Sequence, residues 1–171
     1  MSADPLAVIF ANTHSSAARD RIGSLETYAR WAEPWPILSR FASRLRPSDL
    51  APLLHQRDAT QAVLRAVASG RLPATGEWES ATSAGLAAAP MKLTWTQHSG
   101  VLGDGPALPS TLHLLSRALT DLLLDLDPEA LHSCDGANCL RVFVAHRSDR
   151  RWCDSRICGN RTDTKVRQRL P

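Results

Sequence analysis

Hydrophobic and polar positions along the chain follow two periods, and the switches between them mark its elements. The run Leu6-Ala-Val-Ile-Phe-Ala11 predicts a short strand, ended by Asn12-Thr13. Ser24 is placed to cap a helix carrying Leu25, Tyr28, Ala29 and Ala32. Its Ser-x-x-Thr start lacks the Glu of a capping box, and Pro34 and Pro36 break the helix. Residues 37–45 read as a short helical stretch. Pro47 and Ser48 then open a longer helix over about 49–69, with Leu50, Leu53, Leu54, Ala62, Val63 and Val67 as its apolar stripe and Gly70 as its stop. Residues 77–89 are Ala-rich and weakly patterned, and predict a further helix.

Period two returns at Met91-Lys-Leu-Thr-Trp-Thr96, which predicts a strand. Residues 100–109, with three Gly and two Pro, read as a loop. That loop lacks the Gly-Lys-Ser/Thr of a phosphate-binding loop. The clearest helix spans about 110–125. Leu108, Leu112, Leu115, Leu119, Leu122 and Leu126 recur at spacings 4-3-4-3-4. The stripe lasts under three heptads, which favours a core helix over a dimer seam. The predicted fold class is therefore mainly α with a few short strands (α+β). Residues 1–130 are expected to form a helical domain, and residues 131–171 a small C-terminal unit.

Composition agrees with a folded chain: 43% of residues are hydrophobic and 22% charged, which is globular rather than disordered. No apolar run approaches the ~18 residues of a membrane span, and residues 5–10 lack the basic flank of a signal peptide. A cytoplasmic location with no membrane partner is expected. The net charge of +3 conceals an asymmetry. Residues 1–133 hold 11 Lys+Arg against 13 Asp+Glu, and residues 134–171 hold 9 against 4. A basic unit on a nearly neutral body points to an anionic partner or to a solvated tail.

All four cysteines lie in that basic unit, as Cys134-x4-Cys139, 13 intervening residues, and Cys153-x4-Cys158. A disulfide framework spreads across a secreted domain, whereas two close pairs with a hairpin-sized spacer can close four thiolates around one tetrahedral Zn²⁺. Gly136 and Asn138 tolerate the left-handed backbone of a tight knuckle. Residues 140–144 predict a strand, 146–150 a turn, and 151–153 a strand returning antiparallel. A helix follows from near Asn160, completing a treble-clef-like unit. Four thiolates leave no open coordination position, so the zinc is structural. His132 and His146 lie near enough in sequence to replace one cysteine, and free or redox-active thiols are the alternative to metal.

Arg150-Arg-Trp-Cys153 followed by Cys158-Gly-Asn-Arg161 resembles the CGNR zinc finger. In that family the finger follows an N-terminal ABATE domain, described as a stress-induced transcription regulator. Leu6-Ala-Val-Ile-Phe-Ala-Asn-Thr13 is similar to that domain's opening, and Leu25 with Trp31 resembles its next helix. The resemblance implies a helical N-terminal domain and a finger that binds DNA, with Cys134, Cys139, Cys153 and Cys158 as the zinc ligands. Two departures stand out. Ala145 occupies a position where the family usually has Asp. Thr162-Asp-Thr164 inserts about two residues before Lys165, which turns later side chains by roughly 200° relative to Arg161 on a helix.

From the residues themselves, Arg161, Lys165 and Arg169 recur at i, i+4 and i+8 on one helix face. Val166 and Leu170 lie elsewhere on that helix, where they could pack on Trp152 or Phe143. Arg150, Arg151, Arg161, Lys165, Arg167 and Arg169 are the candidate phosphate contacts, with Arg161 or Lys165 best placed to reach a base edge. Trp152 is read as a packing residue rather than a base-stacking platform. Duplex DNA is the expected partner. One finger makes few base contacts, so a homodimer is expected for specific binding. The N-terminal domain is expected to dimerise or to sense a small-molecule effector. A protein-interaction module and an RNA-binding module with a structural zinc tail are the alternatives. The six histidines are scattered, and no hydrolase elbow or His-Glu-x-x-His motif occurs. The chain is not expected to be an enzyme.

Overall fold

The computed structural model describes residues 4–16, 19–87, 93–95, 100–103, 105–145, 147 and 149–160. Its first element is a helix, α1 (Leu6–Ala11), where the sequence predicts a strand. A six-residue apolar run carries no period that separates the two. Burial decides it: Ala7, Val8 and Ala11 face one core while Phe10 faces another. A strand would offer the two cores opposite faces only in strict alternation.

Antiparallel β1 (His14–Ser16) and β2 (Arg19–Asp20) follow, with Ser16 opposite Arg19. Helix α2 (Leu25–Ala32) starts at Ser24 as expected. Thr27 does the work of the missing Glu, because its hydroxyl accepts from the Ser24 amide at 3.0 Å while Ser24 Oγ accepts from the Thr27 amide at 3.2 Å. Pro36 does not merely break α2. It is the first residue of α3 (Pro36–Ala42), where its missing N–H costs nothing.

A 3₁₀ turn over Pro47–Asp49 leads into α4 (Leu50–Val67), and Gly70 follows at φ +64°. Helix α4 is central and buries polar residues that an apolar stripe does not reveal. Each has a partner. Gln56 Nε2 donates to the Ala81 carbonyl at 2.7 Å, and Gln61 Nε2 donates to the carbonyls of Ala11 and His14. Arg57, with its side chain 3% exposed, donates to Asp20 at 2.7 Å and to Asp58 at 2.8 Å. These bonds fasten α4 to α5 (Thr75–Leu86), α1, β1 and β2.

Strands β3 (Leu93–Trp95) and β4 (Gly100–Leu102) pair antiparallel, so the start of the predicted 100–109 loop is a strand. Helix α6 (Ala107–Asp125) is the backbone of both cores. Leu115 packs in the core with α2 and α3, joined by Leu108 and Leu112. Leu119 packs in the core with α1 and α4, joined by Leu122 and Leu126. The leucine stripe is therefore spent inside the protein. Helices α5 and α6 meet at Gly85, whose amide donates to Ser116 Oγ at 2.9 Å. A Cβ at Gly85 would lie 2.7 Å from the Arg117 nitrogen, so the crossing requires glycine. Among the described residues, no helix is long and apolar enough to cross a membrane.

After a 3₁₀ turn at Pro128–Ala130, β5 (Leu131–Ser133) pairs antiparallel with β6 (Val142–Val144). Leu131 and Val142 enter the same core as α1, α4 and α6.

Candidate metal centre

The β5–β6 pair positions the first two cysteines. Cys134 immediately follows β5 and Cys139 precedes β6, so the knuckle between them forms the hairpin's loop. The Cys134 amide donates to the Arg141 carbonyl at 3.0 Å, and the Cys139 amide to the Gly136 carbonyl at 3.0 Å. Asn138 has φ +61°, the left-handed residue expected of a tight knuckle. Gly136 is needed for another reason. A Cβ there would sit 2.9 Å from Cys158 Cβ and 3.3 Å from Cys134 Sγ.

The predicted return strand at 151–153 is not formed. β6 pairs instead with β5, upstream of the knuckle. The sequence places the hairpin between the cysteine pairs because the spacer has the right length. Leu131 packs in the core of the body, whereas Trp152 packs against the finger's own small core, so the strand that joins β6 is the one carrying Leu131. The second pair sits on irregular chain tied back by the Asp135 amide, which donates to the Arg151 carbonyl at 3.0 Å. A π-helical turn, Ser155–Gly159, carries Cys158. Asp154 caps it, accepting from the amides of Arg156 at 2.8 Å and Ile157 at 3.1 Å.

The four Sγ atoms of Cys134, Cys139, Cys153 and Cys158 lie within 4.8 Å of one another. Cys139 and Cys153 sulfurs are 3.9 Å apart, and those of Cys153 and Cys158 are 3.6 Å apart. Disulfide sulfurs would be about 2.05 Å apart. Four Zn–S bonds of about 2.3 Å in a tetrahedron set sulfurs about 3.8 Å apart, so the donor set fits zinc. Amides of Gly136 and Cys153 both reach Cys134 Sγ at 3.4 Å. Burial opposes the Cys134 thiolate, but those two amides, together with hydrogen bonds from the Cys153 and Cys139 thiols, bring its pKa below the usual thiol value. Without a cation the four cannot all ionise. Burial and the neighbouring thiolates hold Cys153 far above the usual range, and burial pushes Cys158 up to about 11. A divalent cation removes that penalty.

Residues 131–169 match the CGNR zinc finger. The match covers the cysteine cluster and less than a quarter of the chain. No curated protein matches the chain. The four cysteines thus form a single structural zinc site. His132 is outside it, with its ring stacked on Phe143 at 5.6 Å, and His146 lies outside the described residues.

The finger's small core comprises Cys134, Phe143, Ala145 and Cys158, with Trp152 packed against it. A Cβ at Gly159 would lie 3.6 Å from the Trp152 ring, so that indole covers the turn bearing Cys158. Trp152 packs, as its position suggested. Arg150 donates to the Trp152 carbonyl at 3.1 Å and the Cys153 carbonyl at 2.7 Å, and its guanidinium lies 4.7 Å from the Phe143 ring centre. Arg151 pairs with Asp135 at 2.9 Å. Both arginines therefore brace the finger as well as facing solvent. Arg161, Lys165, Arg167 and Arg169, with Val166 and Leu170, lie outside the described residues.

The residues that sequence reasoning missed join the finger to the body. Asn12 Nδ2 donates to the Val142 carbonyl at 2.7 Å, and Asn12 Oδ1 accepts from the Val142 amide at 3.0 Å. The Leu140 amide donates to the Ser15 carbonyl at 3.0 Å. Asn12 closes the outer edge of β6 as a neighbouring strand would. Nothing in the spacing of residues 130 apart announces that pairing.

Proposed function

We propose that the chain is a zinc-stabilised DNA-binding regulator of transcription, with a binding rather than a catalytic role. The match of residues 131–169 to the CGNR zinc finger carries this reading. The concentration of positive charge after residue 133 supports it. In this reading Arg150, Arg151, Arg161, Lys165, Arg167 and Arg169 contact backbone phosphates, and the helical body is an ABATE-like domain that dimerises or senses an effector as part of a stress response. Zinc contributes no chemistry beyond shape. It holds the knuckle and the Asp154-capped turn in one arrangement.

Duplex binding measured by fluorescence anisotropy across a salt series tests the reading. Neutralising Z phosphates gives a log–log slope of about −0.9Z. Four to six contacts predict a slope near −4 to −5 with the zinc-loaded protein. A flat salt dependence rejects phosphate contact and favours a protein-interaction module. Stronger competition by single-stranded RNA than by duplex DNA favours RNA.

A further inference from the structure

A cleft of about 280 Å³ opens where the β1–β2 hairpin of the body meets the zinc knuckle. It adjoins the zinc site, with Cys139, Cys153, Cys158 and Asp154 in its lining, and brings together Ser15, Ser16, Arg19 and Arg21 from the body and Asn138 and Arg141 from the finger. The juxtaposition is built by backbone bonds. The Leu140 amide donates to the Ser15 carbonyl, and the Arg21 amide donates to the Thr13 carbonyl at 2.9 Å. Ser16 and Arg19 face each other across the hairpin.

Two observations point to a ligand. Among the described residues, Arg19, Arg21 and Arg141 pair with no carboxylate, unlike Arg57, Arg147 and Arg151. The Ser15 hydroxyl makes no hydrogen bond among the described residues and is open to solvent, so it is available to donate into the cleft. The acidic group of the cleft is Asp154, whose Oδ1 accepts two amides of its own turn. Formally, three guanidiniums offset the charge of about −2 on a zinc tetrathiolate and the −1 of Asp154. An incoming anion therefore meets no net repulsion and gains directed donors.

We propose that this cleft is a phosphate-binding site, in which Arg19, Arg21 and Arg141 hold the anion and the Ser15 hydroxyl donates to it. Guanidinium presents paired N–H groups that match phosphate oxygens. The cleft is at the small end of ligand sites, which suits one phosphate group rather than a dinucleotide. That group is either a backbone phosphate of nucleic acid or the phosphate of a small phosphorylated compound. The site stands apart from the duplex reading, because it requires only the body–finger junction.

The test uses the full-length zinc-loaded protein, with inorganic phosphate titrated at constant ionic strength against chloride and amide NMR shifts as the readout. Saturable shifts at Ser15, Ser16 and Arg21 are expected. In an Arg19→Ala/Arg21→Ala variant the phosphate Kd should rise about tenfold or more, since each charge-assisted bond is strong. Ser15→Ala should weaken binding by a smaller factor. Zinc content should stay unchanged in both. A duplex arm separates the sources. If the double variant loses about two units of salt slope, the phosphate belongs to the nucleic acid backbone. An unchanged slope with lost phosphate binding assigns it to a free phosphorylated compound. Absence of saturable shifts overturns the proposal. So does loss of zinc from the double variant, since the arginines would then serve the thiolates alone.

Discussion

Asn12→Ala removes one side chain and, with it, two hydrogen bonds that cross from α1 to β6. Val142, the residue they serve, is completely buried. Its β5 neighbour cannot replace them, because the adjacent ladder bond runs from the Cys134 amide to the Arg141 carbonyl and leaves Val142 N–H and C=O pointing toward the body. Each stranded buried group costs about 1–3 kcal/mol, and a water entering the space left by Asn12 recovers part of that. The expected loss is about 2–4 kcal/mol. For a chain of this size each kcal/mol lowers Tm by about 2–4 °C, so the variant should melt roughly 4–16 °C lower. Asn12→Asp should do no better than Ala, because it places an oxygen against the Val142 carbonyl. Thermal unfolding of the zinc-loaded proteins measures the effect. Zinc release to a chelator should also accelerate, since Val142 lies three residues beyond the ligand Cys139 and loosening the strand loosens the knuckle. A loss below about 0.5 kcal/mol, with unchanged zinc release, would refute the claim that Asn12 joins the finger to the body.

Gly136→Ala places a methyl group 2.9 Å from Cys158 Cβ, so zinc affinity should fall more than about tenfold while the helical body keeps its circular dichroism. Chelator competition measures this, and wild-type affinity would show that the knuckle yields. Gly85→Ala drives a methyl into the α6 backbone and should cost about 1–3 kcal/mol in urea unfolding, without changing zinc content. Asp20 has a depressed pKa. Burial opposes its charge, but the Arg57 hydrogen bond and the Ile22 amide outweigh that effect. Its contribution is therefore present above the unfolded value near 3.9 and is lost as pH falls through the lower folded value. Wild-type stability should drop below about pH 4 more steeply than that of Asp20→Asn, and parallel acid titrations of the two would contradict the assignment.

The zinc ligands were legible because coordination needs only residue type and spacing, and both are written locally in the two Cys-x4-Cys pairs. The leucine stripe of α6 was equally legible, since its 4-3-4-3-4 repeat is a local property of one helix. Strand partners were not. Whether β6 pairs with 131–133 or with 151–153 depends on which segment can bury Leu131 against α4, and only the assembled body decides it. Leu6–Ala11 misled for a related reason, because a short run that is apolar throughout has no period to read. The junction itself, Asn12 to Val142 and Ser15 to Leu140, joins parts of the chain with no shared motif. Polar residues of α4 escaped notice because Gln56, Arg57 and Gln61 are buried only by virtue of partners on other elements.

Zinc content of the purified full-length protein, measured by plasma emission against amino-acid analysis, tests the central claim most directly. One zinc per chain is expected in the wild type, falling well below one in Cys158→Ser. A wild-type preparation with little zinc that binds none when zinc is supplied, or a Cys158→Ser variant that keeps a full equivalent, would contradict a site built from these four cysteines.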